Sequence, residues 1–333
     1  MKAAVLDEYD KNGCELRIDE VATPLVGNDD VLIKVKYAGV NPLDNMIIRG
    51  EVKLITPYNL PLVLGNECSG IVEEVGCDVS EFKPGDMVYC RLPLDNIGAF
   101  AEFVSVDKNA VAMIPDYLDF DEAACVPLTA LTAFQAFDLL NVRKDESVFI
   151  SGGTGSFGAM AIPIAKSLGL NVITSGSKRN EDRVTKLGVD RFIDYKSEDY
   201  SEILDNVDYV IDTLGESELE KEFKILKRGG SLVSLKGMPN GEFASRMNMP
   251  LYKRLLFEFA GLKYDRLAGK NNQKYYFLFV ESDGDQLDRV SSIFDENRVD
   301  VSVDEVFDLD HVNDALGKVF NGGSKGKTLV RIC

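Results

Sequence analysis

The hydrophobic and polar positions divide the chain into a β-rich first part and a second part of mixed character. Up to about Asp121, the apolar positions form short runs rich in β-branched and aromatic residues, such as VLIKVKYAGV, SGIVEEVG and DMVYCRL. Glycine and proline separate these runs, and FKPGD has the composition of a turn. Short strands at this close spacing predict a barrel-like, all-β unit.

From about Glu146 onward, short apolar strands alternate with helical patterns. The predicted strands are ESVFIS, NVITS, RFIDY, VDYVIDT and GSLVSLKG, and a further strand, KYYFLFV, runs from Lys274 to Val280. An amphipathic helix is predicted over residues 283–298, with an apolar face formed by Leu287, Val290, Ile293 and Phe294. Strands that alternate with helices indicate βαβ units and a parallel sheet, so we predict an α/β protein.

The length of the chain indicates the number of domains, and its net charge excludes some classes of partner. The chain has 333 residues, which suggests about two domains. Its net charge of −18 repels nucleic acid backbones and anionic lipid surfaces, so neither is expected as a partner. No run approaches ~18 uninterrupted apolar residues, and the acidic N-terminal segment MKAAVLDEYD lacks the pattern of a signal peptide. We therefore expect a cytoplasmic location.

The segment SGGTGSFGAM carries Gly153, Gly155 and Gly158 in a GxGxxG spacing between a predicted strand and a predicted helix. Glycine permits a tight turn and a close approach of the backbone to a pyrophosphate, and the start of the helix supplies free N–H groups. This context favours a Rossmann-type dinucleotide site over a glycine-rich turn that binds nothing. Pro163 lies past the first turn of that helix, where we expect a kink.

The turn after the second predicted Rossmann strand indicates which cofactor binds. An NAD site would carry an acidic residue there, to hold the ribose 2′-hydroxyl group. This chain instead carries Ser175, Gly176, Ser177, Lys178 and Arg179. Two cations suit the 2′-phosphate of NADPH, whereas at the start of a helix they oppose the helix dipole. We predict NADPH, and the alternative is a solvated, basic start of a helix.

A series of segments follows the same order along nearly the whole chain as in one known family. The segments are AGVNPLDNMIIRG, LPLVLGNECSGIVEEVG, FKPGDMVY, GAFAEFVSV, PLTALTAFQAF, SGGTGSFGAMAIPIAKSLG, LKRGGSLVSLKG, VDEVFDLDHVNDAL and SKGKTLVRI. Together they resemble the medium-chain dehydrogenase/reductase superfamily, and within it the zinc-free quinone oxidoreductase and enone (2-alkenal) reductase branch. The resemblance implies a GroES-like β-barrel catalytic domain, residues 1–124 and 298–333, around a Rossmann domain, residues 125–297.

The departures from the wider family concern zinc. In its zinc alcohol dehydrogenases, a cysteine stands at the place of Asn41 and a histidine at the place of Asn66, and neutral amides are poor zinc ligands. The single histidine, His311, fits a surface position better than a ligand position. No CxxC pair exists, so reduced thiols are expected at Cys14, Cys68, Cys77, Cys90, Cys125 and Cys333. We therefore predict that the protein binds no metal.

Without zinc, hydrogen-bond donors must stabilise the charge that builds on the substrate oxygen. By resemblance, Asn41 and Thr129 line the nicotinamide end of the site, and Lys327 returns close to the cofactor. The glycine loop, the turn after the second strand and the resemblance together predict the cofactor-binding residues Thr129, Gly153, Thr154, Gly155, Ser156, Phe157, Gly158, Ser175, Ser177, Lys178, Arg179, Tyr195, Leu214, Gly215, Leu235, Lys236, Gly237 and Lys327.

The proton donor is open between two alternatives. Several enone and enoyl reductases of this branch carry a tyrosine two residues after the glycine of the IRG-like segment, where this chain has Val52. Tyr58 follows six residues later and its hydroxyl could polarise a carbonyl, or it packs in a loop and water delivers the proton. We expect Glu67 to be structural and Asp44 to cap the short helix after GVNP.

The leading hypothesis for the function is hydride transfer from NADPH to a quinone or to the β-carbon of an enal or enone. The alternatives are an enoyl-thioester reductase and a non-catalytic, NADPH-binding structural protein. The apolar strand from Lys274 to Val280 is expected at a sheet edge, and an exposed apolar edge favours aggregation unless it is paired. Pairing with the same strand of a second copy predicts a homodimer.

Overall fold

The structure of the protein, a computed structural model, describes residues 1–322 and 326–332. Its strands are β1 (Lys2–Leu6), β2 (Arg17–Glu20), β3 (Asp30–Val40), β4 (Leu62–Val63), β5 (Glu67–Val75), β6 (Met87–Arg91), β7 (Phe103–Asp107), β8 (Val111–Met113), β9 (Ser147–Ile150), β10 (Asn171–Gly176), β11 (Arg191–Asp194), β12 (Val207–Asp212), β13 (Leu226–Ser234), β14 (Lys274–Phe277), β15 (Val303–Asp308) and β16 (Lys327–Arg331). The predicted thiol of Cys333 lies outside the described residues.

The helices alternate with these strands mainly in the second half of the chain. They are α1 (Pro42–Ile48), α2 (Phe120–Ala123), α3 (Pro127–Leu140), α4 (Ser156–Ser167), α5 (Glu181–Lys186), α6 (Tyr200–Ile203), α7 (Leu219–Ile225), α8 (Gly241–Arg246), α9 (Leu251–Gly269), α10 (Gly284–Asn297) and α11 (Val312–Asn321). Short 3₁₀ turns cover Lys108–Ala110, Lys178–Asn180 and Leu309–His311. Across the described part of the chain, none of the helices is both long and apolar enough to cross a membrane.

The first compact unit consists of Met1–Leu131 and Glu281–Cys333. Its larger sheet has the strand order β15-β16-β3-β5-β6-β8, with β7 also paired to β3, and its smaller sheet has the order β2-β1-β4. β16 runs antiparallel to β3, so both ends of the chain build the same sheet. A β-rich unit built from both ends of the chain agrees with the predicted fold class.

The second compact unit, Thr132–Val280, is described throughout. Its sheet has six strands in the order β11-β10-β9-β12-β13-β14, and all neighbours are parallel. The central strand β9 is almost wholly apolar, and Val148, Phe149 and Ile150 are fully buried. Parallel strands that are covered on both faces require such continuous apolar runs. The strand order is that of a Rossmann sheet, and the predicted α/β fold class is confirmed.

The helix α10 buries three of the four residues of its predicted apolar face, Leu287, Val290 and Phe294, whereas the fourth, Ile293, is half-buried. It belongs to the first unit, whereas the sequence analysis assigned residues up to 297 to the Rossmann domain. The hydroxyl of Tyr89 on β6 donates to the carbonyl oxygen of Leu287 at 3.1 Å. Periodicity indicates which face of a helix is buried, but it carries no information about the surface against which that face packs.

The strand β14 lies at the edge of the parallel sheet, as predicted, but it is shorter than predicted. It ends at Phe277, and Leu278, Phe279 and Val280 are buried without belonging to the strand. A short apolar run has the same pattern whether it is a strand or a buried irregular segment, so the sequence could not fix where the strand ends.

Candidate active site

Strand and helix ends in the first unit bring several buried polar side chains together. Asn41 is the N-cap of α1 and follows β3 directly. Glu67 is the first residue of β5, and Lys327 is the first residue of β16. Because Thr328 lies opposite Val40 in the β16–β3 register, the strand β16 places Lys327 beside Asn41.

The ammonium group of Lys327 is the centre of this cluster. Its Nζ lies 2.6 Å from Asn41 Oδ1, 2.6 Å from Glu67 Oε1 and 3.4 Å from Thr129 Oγ1. Glu67 also accepts from Asn41 Nδ2 at 2.8 Å, and its second oxygen accepts from the N–H of Leu128 at 2.7 Å. Glu67 is fully buried and Lys327 is only 6% exposed. Each carboxylate oxygen therefore has a donor, as a buried charge requires.

The hydrogen bonds of the cluster leave the hydroxyl hydrogen of Thr129 available to a ligand. Asn41 uses its amide hydrogens on Glu67 and on the carbonyl oxygen of Gly39, which lies 3.3 Å from Nδ2. Thr129 accepts from Lys327, and among the residues that the structure describes no acceptor contacts the hydroxyl hydrogen of Thr129. This hydroxyl is available as a hydrogen-bond donor, since a threonine oxygen can accept and donate at the same time.

A second buried acid, Asp44, lies beside the cluster. One of its oxygens accepts from the backbone N–H of Asn41 at 2.7 Å, which completes the capping box of α1, so the expected capping role is observed. The other oxygen accepts from Asn66 Nδ2 at 2.7 Å. Burial raises the pKa of Asp44 to about 7, although both hydrogen bonds act to lower it. The amide of Asn66 is thus occupied by a carboxylate.

Tyr58 is half-buried in the segment between α1 and β4. Its backbone is fixed by Tyr9, whose hydroxyl donates to the carbonyl oxygen of Tyr58 at 3.0 Å and accepts from its N–H at 3.2 Å. Burial raises the pKa of Tyr58 to about 12, and the nearby charge of Arg91 acts in the opposite direction. The phenol is therefore protonated at neutral pH and can serve as a donor.

In the second unit, the glycine loop lies between β9 and the start of α4, as predicted. A Cβ atom on Gly158 would lie 1.8 Å from the carbonyl oxygen of Gly153, so this close approach requires glycine. At Gly155, the N-cap, the nearest atom to such a Cβ would be 4.0 Å away. An open N-terminus of a 12-residue helix suits a pyrophosphate, and Pro163 does not interrupt that helix. The other predicted residues of the loop are Thr154, Ser156 and Phe157.

The turn after β10 carries Ser177, Lys178 and Arg179, immediately beyond Gly176. Lys178 and Arg179 are exposed. Neither side chain forms an ion pair or hydrogen bond with any residue in the described ranges. The two cations are therefore available to an anionic ligand.

Contacts between neighbouring loops hold that turn beside the glycine loop. The buried hydroxyl of Ser175 accepts from the N–H of Gly152 at 3.3 Å. Arg183 on α5 donates to the carbonyl oxygen of Thr154. The backbone N–H of Tyr195, whose side chain is exposed, donates to the carbonyl oxygen of Gly176, the last residue of β10, at 3.2 Å. Arg183 was not among the predicted site residues, because a basic residue on a half-exposed helix face gives no signal of its own.

Two buried side chains, Asp212 and Ser234, organise the loops that follow β12 and β13. Asp212 Oδ1 accepts from the N–H groups of Leu214 and Gly215 at 2.8 and 2.7 Å. The Ser234 hydroxyl donates to Asp212 and accepts from the N–H of Gly237 at 2.6 Å. Neither residue was predicted for the site, although a polar residue at the carboxyl end of a buried strand was an available signal. The other predicted residues in these loops are Leu235 and Lys236.

No group of three or more His, Cys, Asp or Glu side chains in residues 1–322 and 326–332 is arranged to hold a metal ion. His311, the N-cap of α11, is exposed, as the sequence analysis expected. The described cysteines are free thiols, namely Cys14, Cys68, Cys77, Cys90 and Cys125.

Two models of known families match the chain. The model described as "Alcohol dehydrogenase GroES-like domain" matches residues 27–116, and the model described as "Zinc-binding dehydrogenase" matches residues 187–330. The first match lies within the first compact unit, and the second covers parts of both units.

Several similar proteins are named as oxidoreductases or reductases. The chain is 33% identical over 366 aligned positions to the zebrafish (Danio rerio) "NAD(P)H oxidoreductase RTN4IP1, mitochondrial", covering 100% of this chain and 91% of the relative. It is 35% identical over 246 positions to the "2-methylene-furan-3-one reductase" of Solanum lycopersicum, covering 71% of this chain and 63% of the relative. The solved quinone oxidoreductase from Coxiella burnetii has a TM-score of 0.82, 27% identity, and coverage of 100% and 99% of the two chains.

Proposed function

The chain belongs to the medium-chain dehydrogenase/reductase superfamily, in its quinone oxidoreductase and enone reductase branch, and from this premise we propose that it is a zinc-independent, NADPH-dependent oxidoreductase. Its acceptor is a quinone or an α,β-unsaturated aldehyde or ketone. The bound, reduced nicotinamide supplies the hydride. The observation that carries the proposal is the open glycine loop at the start of α4, followed by two exposed cations after β10 that have no partner among the residues described.

The residues of the second unit suit the binding of a phosphorylated dinucleotide. The backbone N–H groups at the start of α4, beginning at Gly155, would hold the pyrophosphate. Lys178 and Arg179 would hold the 2′-phosphate, with Ser177 as a further donor. The loops that Asp212 fixes, with Gly215 and Gly237, would border the nicotinamide ring. Cytoplasmic location remains part of the proposal, whereas relatives such as the zebrafish protein are named mitochondrial.

The buried cluster of the first unit would stabilise the negative charge on the substrate oxygen. The hydroxyl of Thr129 would donate the hydrogen bond, and the positive charge of Lys327, directly behind it at 3.4 Å, would strengthen that donor. Asn41 would act by fixing Lys327, because its own amide hydrogens are engaged. A donor that is fixed before the reaction needs no reorganisation when charge develops.

Turnover of NADPH with a panel of acceptors tests the proposal. The panel contains a quinone, an enal, an enone and an enoyl thioester, and NADPH oxidation is followed by its absorbance. We expect turnover with the quinone or with the enal and enone. Turnover of the thioester alone would favour an enoyl-thioester reductase. NADPH binding without any turnover would favour a non-catalytic binding protein.

The Tyr58→Phe variant should reduce kcat by on the order of a hundredfold while leaving the Kd of NADPH nearly unchanged, because the protonated phenol would polarise the substrate carbonyl. Steady-state kinetics and a fluorescence titration of NADPH measure the two effects. Tyr252→Phe, at a 68% exposed tyrosine on α9, is the matched control. An unchanged kcat in Tyr58→Phe would mean that water or another group delivers the proton.

Elemental analysis of the purified protein should find well under one zinc per chain. The physical reason is that amides stand at positions 41 and 66, where thiolate and imidazole would be needed. Activity that disappears on treatment with a chelator and returns with zinc would contradict the zinc-independent proposal.

We also propose a homodimer through the segment from Lys274 to Val280, because its strand, β14, lies at the edge of the parallel sheet. Light scattering at micromolar concentration should give twice the mass of the chain. A monomer under those conditions would count against pairing through this edge.

A further inference from the structure

Arg91, at the end of β6, is fully buried next to the cluster around Lys327. In the antiparallel register of β5 and β6 it lies directly opposite Glu67. Residues that lie opposite each other in adjacent strands extend their side chains on the same face of the sheet. The sequence pattern alone indicates no role for Arg91, because one arginine at the end of a strand usually lies in solvent.

The guanidinium of Arg91 is held on one side only. Its Nη1 donates to the carbonyl oxygen of Leu92. Its Nε and Nη2 are buried and have no hydrogen-bond partner among the residues described by the structure. Both lie on one edge of the planar group, where their N–H bonds run parallel. An unsatisfied donor in the interior is costly, and more so when it is charged.

The neighbouring acids do not supply acceptors for this edge. Glu67 accepts from Lys327, Asn41 and Leu128, and Asp44 accepts from the N–H groups of Asn41 and Asn66. Burial lowers the pKa of Arg91 to about 10, with Tyr58 and Glu67 among the neighbours that act against this effect. The guanidinium is therefore charged at neutral pH, and its free edge requires an acceptor from elsewhere.

We propose that the acceptor substrate carries a carboxylate group, which the free edge of Arg91 binds through two parallel hydrogen bonds. This inference rests on the proposed reduction of an enone or quinone and specifies its substrate class. A carboxylate matches the edge because it offers two coplanar oxygens and one negative charge. A single carbonyl oxygen would satisfy the geometry of only one donor well. The net charge of −18 disfavours anions in general, so a buried cation with two unused donors would favour an anion locally.

The test compares matched pairs of acceptors. It uses a series of straight-chain enones that end in a carboxylate and differ in the number of methylene groups before the double bond, each beside its methyl ester. Since methylene groups separate the carboxylate from the enone, acid and ester have similar intrinsic reactivity. The wild type should favour the best acid over its ester by about tenfold to 10²-fold in kcat/KM. Equal values for acid and ester throughout the series would overturn the inference.

Variants at position 91 test the assignment to this residue. Arg91→Met keeps much of the volume and removes the charge, so the ratio of acid to ester should fall to about one. Arg91→Lys keeps a charge without the parallel donors and should give an intermediate ratio. Arg228→Met, at an exposed arginine on β13, removes the same charge elsewhere and should keep the wild-type ratio. An unchanged ratio in Arg91→Met would assign the preference to another group.

Calorimetric titration separates this inference from the proposed function. With NADP⁺ present no reduction takes place, and the wild type should still bind the acid about tenfold or more tightly than the ester. If no acceptor oxidised NADPH but the acid bound selectively, the proposed function would fail and the site would stand. If the enones were reduced and no acid bound better than its ester, the site would fail alone.

Discussion

The double variant Lys178→Ala with Arg179→Ala should raise the KM of NADPH by about 10²-fold or more and barely change the KM of NADH. Both side chains follow β10 directly, and neither has a partner within residues 1–322 and 326–332. A charge-assisted hydrogen bond contributes roughly 1.5–3 kcal/mol, and exposure reduces this through screening. Because the net charge of −18 repels a phosphate, the local cations matter more here than in a basic protein.

A matched control removes the same charge close to this turn. Lys186 and Arg191 are exposed and lie beyond it, so Lys186→Ala with Arg191→Ala should leave the KM of NADPH within about twofold. The decisive measurement is kcat/KM for both cofactors in wild type and in the two double variants. If the wild type used NADH as efficiently as NADPH, Lys178 and Arg179 would not bind the 2′-phosphate. They would then be solvated residues at the start of a helix.

The second large effect is expected on stability. Lys327→Met should lower the free energy of unfolding by about 3–5 kcal/mol, because it leaves the fully buried Glu67 without its cation. Asn41 and Leu128 would still donate to that carboxylate, but neither is charged. Equilibrium unfolding in urea, followed by circular dichroism, measures the difference.

Two further variants separate loss of the ion pair from loss of packing. Adding Glu67→Gln to Lys327→Met removes the uncompensated charge and should recover a large part of the lost stability. Lys224→Met breaks the exposed pair between Lys224 and Glu202 and should cost less than about 1 kcal/mol. A small loss in Lys327→Met, similar to that in Lys224→Met, would mean that the Glu67–Lys327 pair does not stabilise the fold.

The features that the sequence predicted best are local ones. The glycine loop, the strand before it and the helix after it depend on residues within one short segment, and the structure has all three in the predicted order. The alternation of strands and helices predicted the parallel sheet for the same reason, since each βαβ unit is formed by one continuous stretch of the sequence. The ends of the helices and strands were predicted less accurately than their order. β14, for example, ends at Phe277 instead of Val280.

What only the tertiary structure decided is which distant side chains meet. Lys327 and Asn41 are separated by 286 positions, yet their side-chain atoms lie 2.6 Å apart because β16 pairs with β3. The free edge of Arg91 likewise became visible only once its buried surroundings were known. A sequence pattern records whether a position prefers water or the interior, whereas hydrogen bonding and charge pairing depend on strand register. Register depends on which face of each strand is buried and on the turns that connect the strands, so contacts between strands that are distant in the chain become known only from the fold.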